Sequence, residues 1–177
     1  MQVVTPTSYI VLGLLERYGP ASAYDLKRLA AQVLGNFWTT AHSQLYRTAE
    51  QLSTDGLLDP TTQVTTGGRG RIVYRLTRTG KKRLAQWRTE SETELAELRD
   101  PGLLRLYFGA DPKTLAPVQA AAHRRQLAAY EQRKSTDDGS EPRGPWLTLD
   151  AGIAHERVWV RYWDSLAGGA GDHASNL

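Results

Sequence analysis

Cysteine is absent from the 177 residues. That removes disulfides, iron–sulfur clusters and thiolate zinc sites, and it suits a reducing compartment. Long apolar runs are missing as well. Tyr9–Leu15 is about half of even a short membrane span and is broken by Gly13. The opening MQVVTPTSYIVLGLLERYG carries no basic segment ahead of that run, so a soluble, cytoplasmic protein is expected, with no membrane partner. Four histidines (His42, His123, His155, His173) are scattered, with no i,i+4 pair for a metal, and there is no G-x-S-x-G nucleophile elbow. No metal, no cofactor and no enzymatic activity are therefore expected.

The charge is unevenly spread. Residues 1–90 hold 12 Lys/Arg and 6 Asp/Glu, a net +6; residues 91–177 hold 10 and 13, a net −3. A basic half joined to an acidic half suggests two jobs, the basic one facing a polyanion.

The spacing of apolar residues predicts a helix over 7–18, capped by Thr7 and stopped by Gly19-Pro20. It is apolar on most sides, so it must be buried on more than one. A second helix starts at Ser22, which with Asp25 is spaced as a capping box, and ends at Gly35. A third begins near Thr40, with Leu45, Ala49 and Leu52 as its buried stripe and Gly56 as its left-handed terminator. Ser43 and Arg47 lie opposite that stripe and Tyr46 on its flank. Trp38, just before this helix, reads as a packing anchor. Strands follow at 57–64 and 72–76, Pro60 marking the first as an edge or bulged strand.

Between the strands runs TTGGRG, continuing into RIVYRL. A phosphate-binding P-loop needs Lys then Ser/Thr and a helix after its glycines, whereas a strand follows here. A glycine-rich hairpin tip can instead lie flat on a duplex and let Arg69 and Arg71, flanking Gly70, reach phosphates or a narrow minor groove. The plainer alternative is a soluble β-turn. Three helices, a strand, a glycine-basic loop and a strand are the order of a winged helix-turn-helix. Tyr74 is the one clear aromatic in the strands for base stacking, which argues against an RNA-binding sheet.

Another helix starts at Thr77. The polar stretch 89–97 marks a boundary, so the expected domains are 1–90, DNA-binding, and 91–167, helical, with a disordered tail at 168–177. In the second half Leu103–Gly109 is apolar, Asp111-Pro112 opens a long helix to about Lys134, 135–145 is a loop, and a last helix spans about 147–167. The fold class expected is mainly α with a small β-hairpin.

Several strings resemble the PadR family of bacterial transcriptional regulators: SYIVLGLLERYGPASAYDLKR, FWTTAHSQLYRTAEQLSTDGLL and GRGRIVYRLTRTGKKRLAQW. The features shared with the family are the Tyr24-Asp25-Leu26 helix start, Gln44-Leu45-Tyr46-Arg47 in the recognition helix, and Leu76-Thr77-x-x-Gly80. The second half is similar to the helical C-terminal region of the longer subgroup. The resemblance implies a homodimeric DNA-binding repressor with a pseudo-palindromic operator, and it raises release by a small, often aromatic, molecule. It places the DNA-reading helix at 40–54. Ser43, Gln44, Tyr46 and Arg47 are then groove contacts, and Thr40 and His42 phosphate contacts at the helix N-terminus; Tyr24, Arg69, Gly70 and Arg71 complete the interface. Arg47 either reads a guanine, worth about 1–3 kcal/mol, or pairs with Glu50. Tyr46 either meets DNA or lies half-buried against the second helix. Trp87, Trp159 and Trp163 are either core and dimer packing or an aromatic clamp for the effector. A winged-helix adaptor for protein partners is the alternative function; it would carry apolar side chains where this chain carries Ser43, Arg47, Arg69 and Arg71.

Overall fold

The computed structural model describes residues 5–35, 37–64, 70–93 and 95–168, together with all their side chains except those of His42 and Val64. The wing tip, including Arg69, and the tail beyond Gly168 lie outside these residues. The chain divides into two compact units, 1–94 and 95–177.

The first unit runs α1 (Pro6–Tyr18), β1 (Ala21–Ser22), α2 (Ala23–Leu34), α3 (His42–Thr54), β2 (Leu58–Val64), β3 (Gly70–Leu76) and α4 (Arg78–Trp87). Pro6 sits at the helix start, where its fixed φ is an asset and its missing N–H is not needed. As its composition demands, α1 buries Tyr9, Val11, Leu12, Leu14 and Leu15. Leu26 of α2, Leu45, Ala49 and Leu52 of α3, and Leu58, Tyr74 and Leu84 close the same core around it. The sheet is antiparallel in the order β1-β3-β2. Pro60 therefore lies on an edge strand, opposite Tyr74. β1 is too short to show in a sequence pattern. Its two residues pair with Tyr74 and Val73 while Ser22 also caps α2.

A tight joint fixes the hairpin to α4. The Thr77 side-chain oxygen accepts from Gly80 N (3.0 Å), and its hydroxyl lies 2.9 Å from the Gly56 carbonyl and 3.0 Å from that of Leu57. Gly56 itself ends the turn after α3 with φ +71, a conformation that disfavours a side chain. At Gly80 a Cβ would fall on the Leu57 carbonyl oxygen. The Leu-Thr-x-x-Gly string is thus a cap plus a close backbone approach.

The second unit holds α5 (Pro101–Tyr107), α6 (Pro112–Lys134) and α7 (Arg143–Ala167). Asp100 and Asp111 cap α5 and α6 through their carboxylates, each followed by proline at the first helical position. The long helices run antiparallel: Arg124 pairs with Asp164, Glu131 with Arg157, and Lys134 with Asp150. Tyr130, Trp146, Leu149 and Ile153 pack at the loop end. At the other end Ala116 and Ala120 make room for Trp163, which is fully buried.

Several boundaries differ from expectation. α1 starts at Pro6 with Thr5, not Thr7, at its N-cap position; Thr7 lies buried inside the helix and caps nothing. α3 starts at His42 rather than near Thr40; the two β-branched threonines before it stay outside. β3 starts at Gly70, two residues early. α7 starts at Arg143 rather than near 147, because Pro145 falls in its first turn, where no intrahelical N–H is required.

Candidate nucleic-acid interface

The outer face of α3 follows from its inner one. Leu45, Ala49 and Leu52 are buried, so Ser43, Gln44, Arg47 and Glu50 face outward and exposed. Tyr46 keeps 41% of its surface, which places it on the outer flank rather than between the helices. Among the described residues Arg47 makes no ion pair with Glu50, so its guanidinium fork is not engaged by that carboxylate. The helix start is also open. Ala41 provides no capping side chain, and the first turn holds no acidic residue. First-turn N–H groups of this kind attract anions. Thr40 lies partly exposed just before that start; His42 is in the first turn, and nothing of its side chain is described.

Two further elements contribute. The start of α2 presents Tyr24, 62% exposed. The capping box there is complete: Ser22 Oγ accepts from Asp25 N, and the Asp25 carboxylate accepts from Ser22 N (3.1 Å) and Ser22 Oγ (2.7 Å). These hydrogen bonds, chiefly the one from the Ser22 hydroxyl, hold the Asp25 carboxyl below the usual carboxylate range, with Arg71 and Arg28 adding to the effect. The wing strand presents Gly70 and Arg71, both exposed. Arg71 is not free: its Nη1 lies 3.6 Å from Asp25 Oδ2. Sequence reasoning missed this pair because it joins two elements far apart in the chain. Arg69 falls outside the described residues.

The aromatic residues divide by exposure. Tyr74 is buried in the core, and burial raises its phenol pKa, so it offers no face for base stacking. Trp38 is 44% exposed, not a buried anchor. The turn after α2 closes through its backbone, with Trp38 N donating to the Leu34 carbonyl at 2.8 Å, and the core is already filled by aliphatic side chains. Its neighbour Phe37 is also exposed. Trp87, 42% exposed, stacks on Tyr9 with centroids 4.5 Å apart. In the second unit Trp163 is a core residue whose indole N–H has no partner among the described residues. Trp159 stacks on it at 6.4 Å and donates to His155 Nε2 at 2.7 Å. His123 Nδ1 and the buried Glu156 carboxylate lie 2.6 Å apart on facing helices, a pair that no local spacing announces. Among the described residues no cluster of His, Asp and Glu could hold a metal, and no helix is long and apolar enough to cross a membrane.

Residues 11–86 match the transcriptional regulator PadR-like family, and residues 98–167 match the virulence activator alpha C-terminal family. The negative transcriptional regulator PadR of Bacillus subtilis (strain 168) is 32% identical over 171 residues, covering 89% of this chain and 93% of that protein. The crystal structure of Bacillus subtilis PadR in complex with operator DNA superposes with a TM-score of 0.80 at 25% identity, covering 92% of this chain and 97% of that one. The same regulator in complex with p-coumaric acid superposes with a TM-score of 0.71 at 24% identity, over 93% and 97% of the two chains. With a four-helix, three-stranded winged unit followed by a helical one, and with that degree of identity along almost its whole length, the chain belongs to the PadR family of transcriptional regulators.

Proposed function

We propose that the protein is a homodimeric, sequence-specific DNA-binding repressor that acts in the cytoplasm and is released from its operator by a small aromatic effector. The observation that carries the reading is the outer face of α3: polar, exposed, free of an Arg47–Glu50 pair, and opening on an uncapped helix start. In this reading the first unit binds DNA and the second dimerises. Ser43, Gln44, Tyr46 and Arg47 enter the major groove, Thr40 and His42 approach phosphate, and Tyr24, Arg69, Gly70 and Arg71 flank them. The exposed apolar side chains Leu104, Tyr107 and Phe108 of the second unit supply surface for a second copy. A dimer doubles the phosphate contacts, and each neutralised phosphate steepens log K against log salt by about 0.9.

The effector reading rests on Bacillus subtilis PadR, which has been crystallised with operator DNA and with p-coumaric acid. Here Trp159 in the second unit is a partly exposed aromatic face that a flat ligand can use, and Trp87 in the first unit is a separate one. Trp163 is fully buried, so it serves such a ligand only as the core surface on which Trp159 stacks.

The test is selection of bound fragments from random genomic DNA at physiological salt. An enriched inverted repeat, with half-sites about 10 bp or a multiple apart, is the expected result. Adding p-coumaric acid as a probe to the protein on that repeat then tests release. Salt-sensitive binding with no enriched sequence would favour the adaptor reading.

A further inference from the structure

The wing arginine that this reading sets against DNA is already occupied. Ser22 pairs with Val73 in the sheet, and Arg71 lies two residues nearer the wing tip on the same side of β3. Asp25, one turn into α2 from Ser22, therefore faces Arg71, and the two groups meet at 3.6 Å. Ser22 fixes the carboxylate through two hydrogen bonds, from its N and its hydroxyl, and the Ser22 oxygen accepts in turn from Asp25 N, whereas Arg71 is held by Asp25 alone among the described residues. The carboxylate is thus rigid and the guanidinium is the movable partner. The side chains remain 25% and 50% exposed, so the pair is weak enough to be exchanged. A phosphate oxygen offers Arg71 the same chemistry as Asp25 does.

We propose that Asp25 competes with DNA phosphate for Arg71, so that this carboxylate, which makes no DNA contact of its own, sets how strongly the wing engages the duplex. The proposal rests on the placement of Arg71 at the interface. Asp25 is a positioning residue: it holds Arg71 against α2 in the free protein, and binding has to break that pair. Arg28 is the other cation close enough to lower the Asp25 pKa, and it stands on α2 itself rather than on the wing.

The test is a double-mutant cycle of Asp25→Asn and Arg71→Ala on the full-length protein. Affinity is read by fluorescence anisotropy on a short random-sequence duplex across a salt series, after thermal melts confirm that each variant is folded. Asp25→Asn should tighten binding by about two- to fivefold, the scale of one exposed ion pair. It should steepen the salt slope by at most about 0.9. In the Arg71→Ala background the same change should have little effect. Asp25→Glu, which keeps the charge and the capping box, should bind as the parent does. An equal gain with and without Arg71 would overturn the proposal, because Asp25 would then act only as a distant negative charge. If Arg71→Ala weakens binding but Asp25→Asn does nothing, the interface stands and the competition fails. If Arg71→Ala leaves binding and slope unchanged in both backgrounds, the interface placement of Arg71 is wrong, and the proposal falls with it.

Discussion

Gly80→Ala is a substitution whose ordinary sign the structure reverses. Inside an exposed helix the change gains about 1 kcal/mol, because alanine has the higher helix propensity. At this position the new Cβ meets the Leu57 carbonyl oxygen, and Leu76 Cδ1 at 2.8 Å. The carbonyl is backbone, so it cannot rotate away. It also accepts from Thr77 N at 3.2 Å and from the Thr77 hydroxyl at 3.0 Å. Relieving the clash moves the start of α4 from the hairpin and weakens both bonds, at about 1 kcal/mol each. Residual overpacking adds about 1–3 kcal/mol. After the propensity gain is subtracted, the net loss is about 2–4 kcal/mol. For a unit of this size that lowers Tm by about 8 °C or more. The assay is far-UV circular dichroism on heating, at fixed protein concentration because a dimer's Tm depends on it. Gly144→Ala is the control: it stands in the first turn of α7, and a Cβ there meets nothing within 4 Å. It should be neutral or stabilising by about half a kcal/mol. If Gly80→Ala melts at or above the parent, the close approach to Leu57 is not what fixes α4 to the hairpin.

Arg47→Ala should relax preference at one base pair per half-site, at about 1–3 kcal/mol; uniform weakening across all sequences, seen in a binding-site selection, would show that Arg47 touches only phosphate. Trp163→Ala should cost about 3–5 kcal/mol in urea unfolding, since a fully buried indole leaves a large cavity; Trp87→Ala, which loses a partly exposed stack on Tyr9, should cost about 0.5–1.5 kcal/mol. The Asp25 carboxyl is lowered in the folded state, so its contribution to stability is complete above the unfolded carboxylate pKa of about 4 and fades as pH falls through the lower folded value. The stability gap between parent and Asp25→Asn, measured by urea titration at stepped pH, should therefore shrink below about pH 4; a gap that stays constant would mean the carboxylate's charge is not what stabilises α2.

Features that one stretch of chain decides alone could be read directly from sequence. The Ser22–Asp25 capping box, the left-handed Gly56 and the Asp111-Pro112 helix start each involve residues within one turn of one another, and all are present. The stripe of α3 was legible for the same reason, since one helical period sorts Leu45, Ala49 and Leu52 from Ser43 and Arg47. What escaped notice is decided between elements. β1 exists only because β3 passes beside it. Trp38 looked like an anchor on hydrophobicity alone, but whether a tryptophan is buried depends on whether the core has room. His123–Glu156 and Asp25–Arg71 join residues on different elements, and their types and spacing carry no period. The start of α7 lies in 135–145, which holds no apolar residue to mark a helix, while Pro145 in a first turn is tolerated.

The one feature of α3 that works against phosphate is Glu50, exposed on the outer face one turn from Arg47. Its charge reaches far enough to help raise the Tyr74 phenol pKa, and it makes no ion pair with Arg47 among the described residues. A carboxylate so placed lowers sequence-independent affinity, because it repels every duplex alike. It can repay that loss at one kind of base pair, since Glu accepts a hydrogen bond from cytosine N4 in the major groove. Glu50→Gln separates the two roles. If Glu50 only repels, the variant binds all sequences more tightly, with a steeper salt slope and an unchanged consensus. If Glu50 reads cytosine, the general gain is accompanied by lost preference at one position in each half-site. A variant that binds all DNA as the parent does would place Glu50, and with it this side of α3, outside the groove.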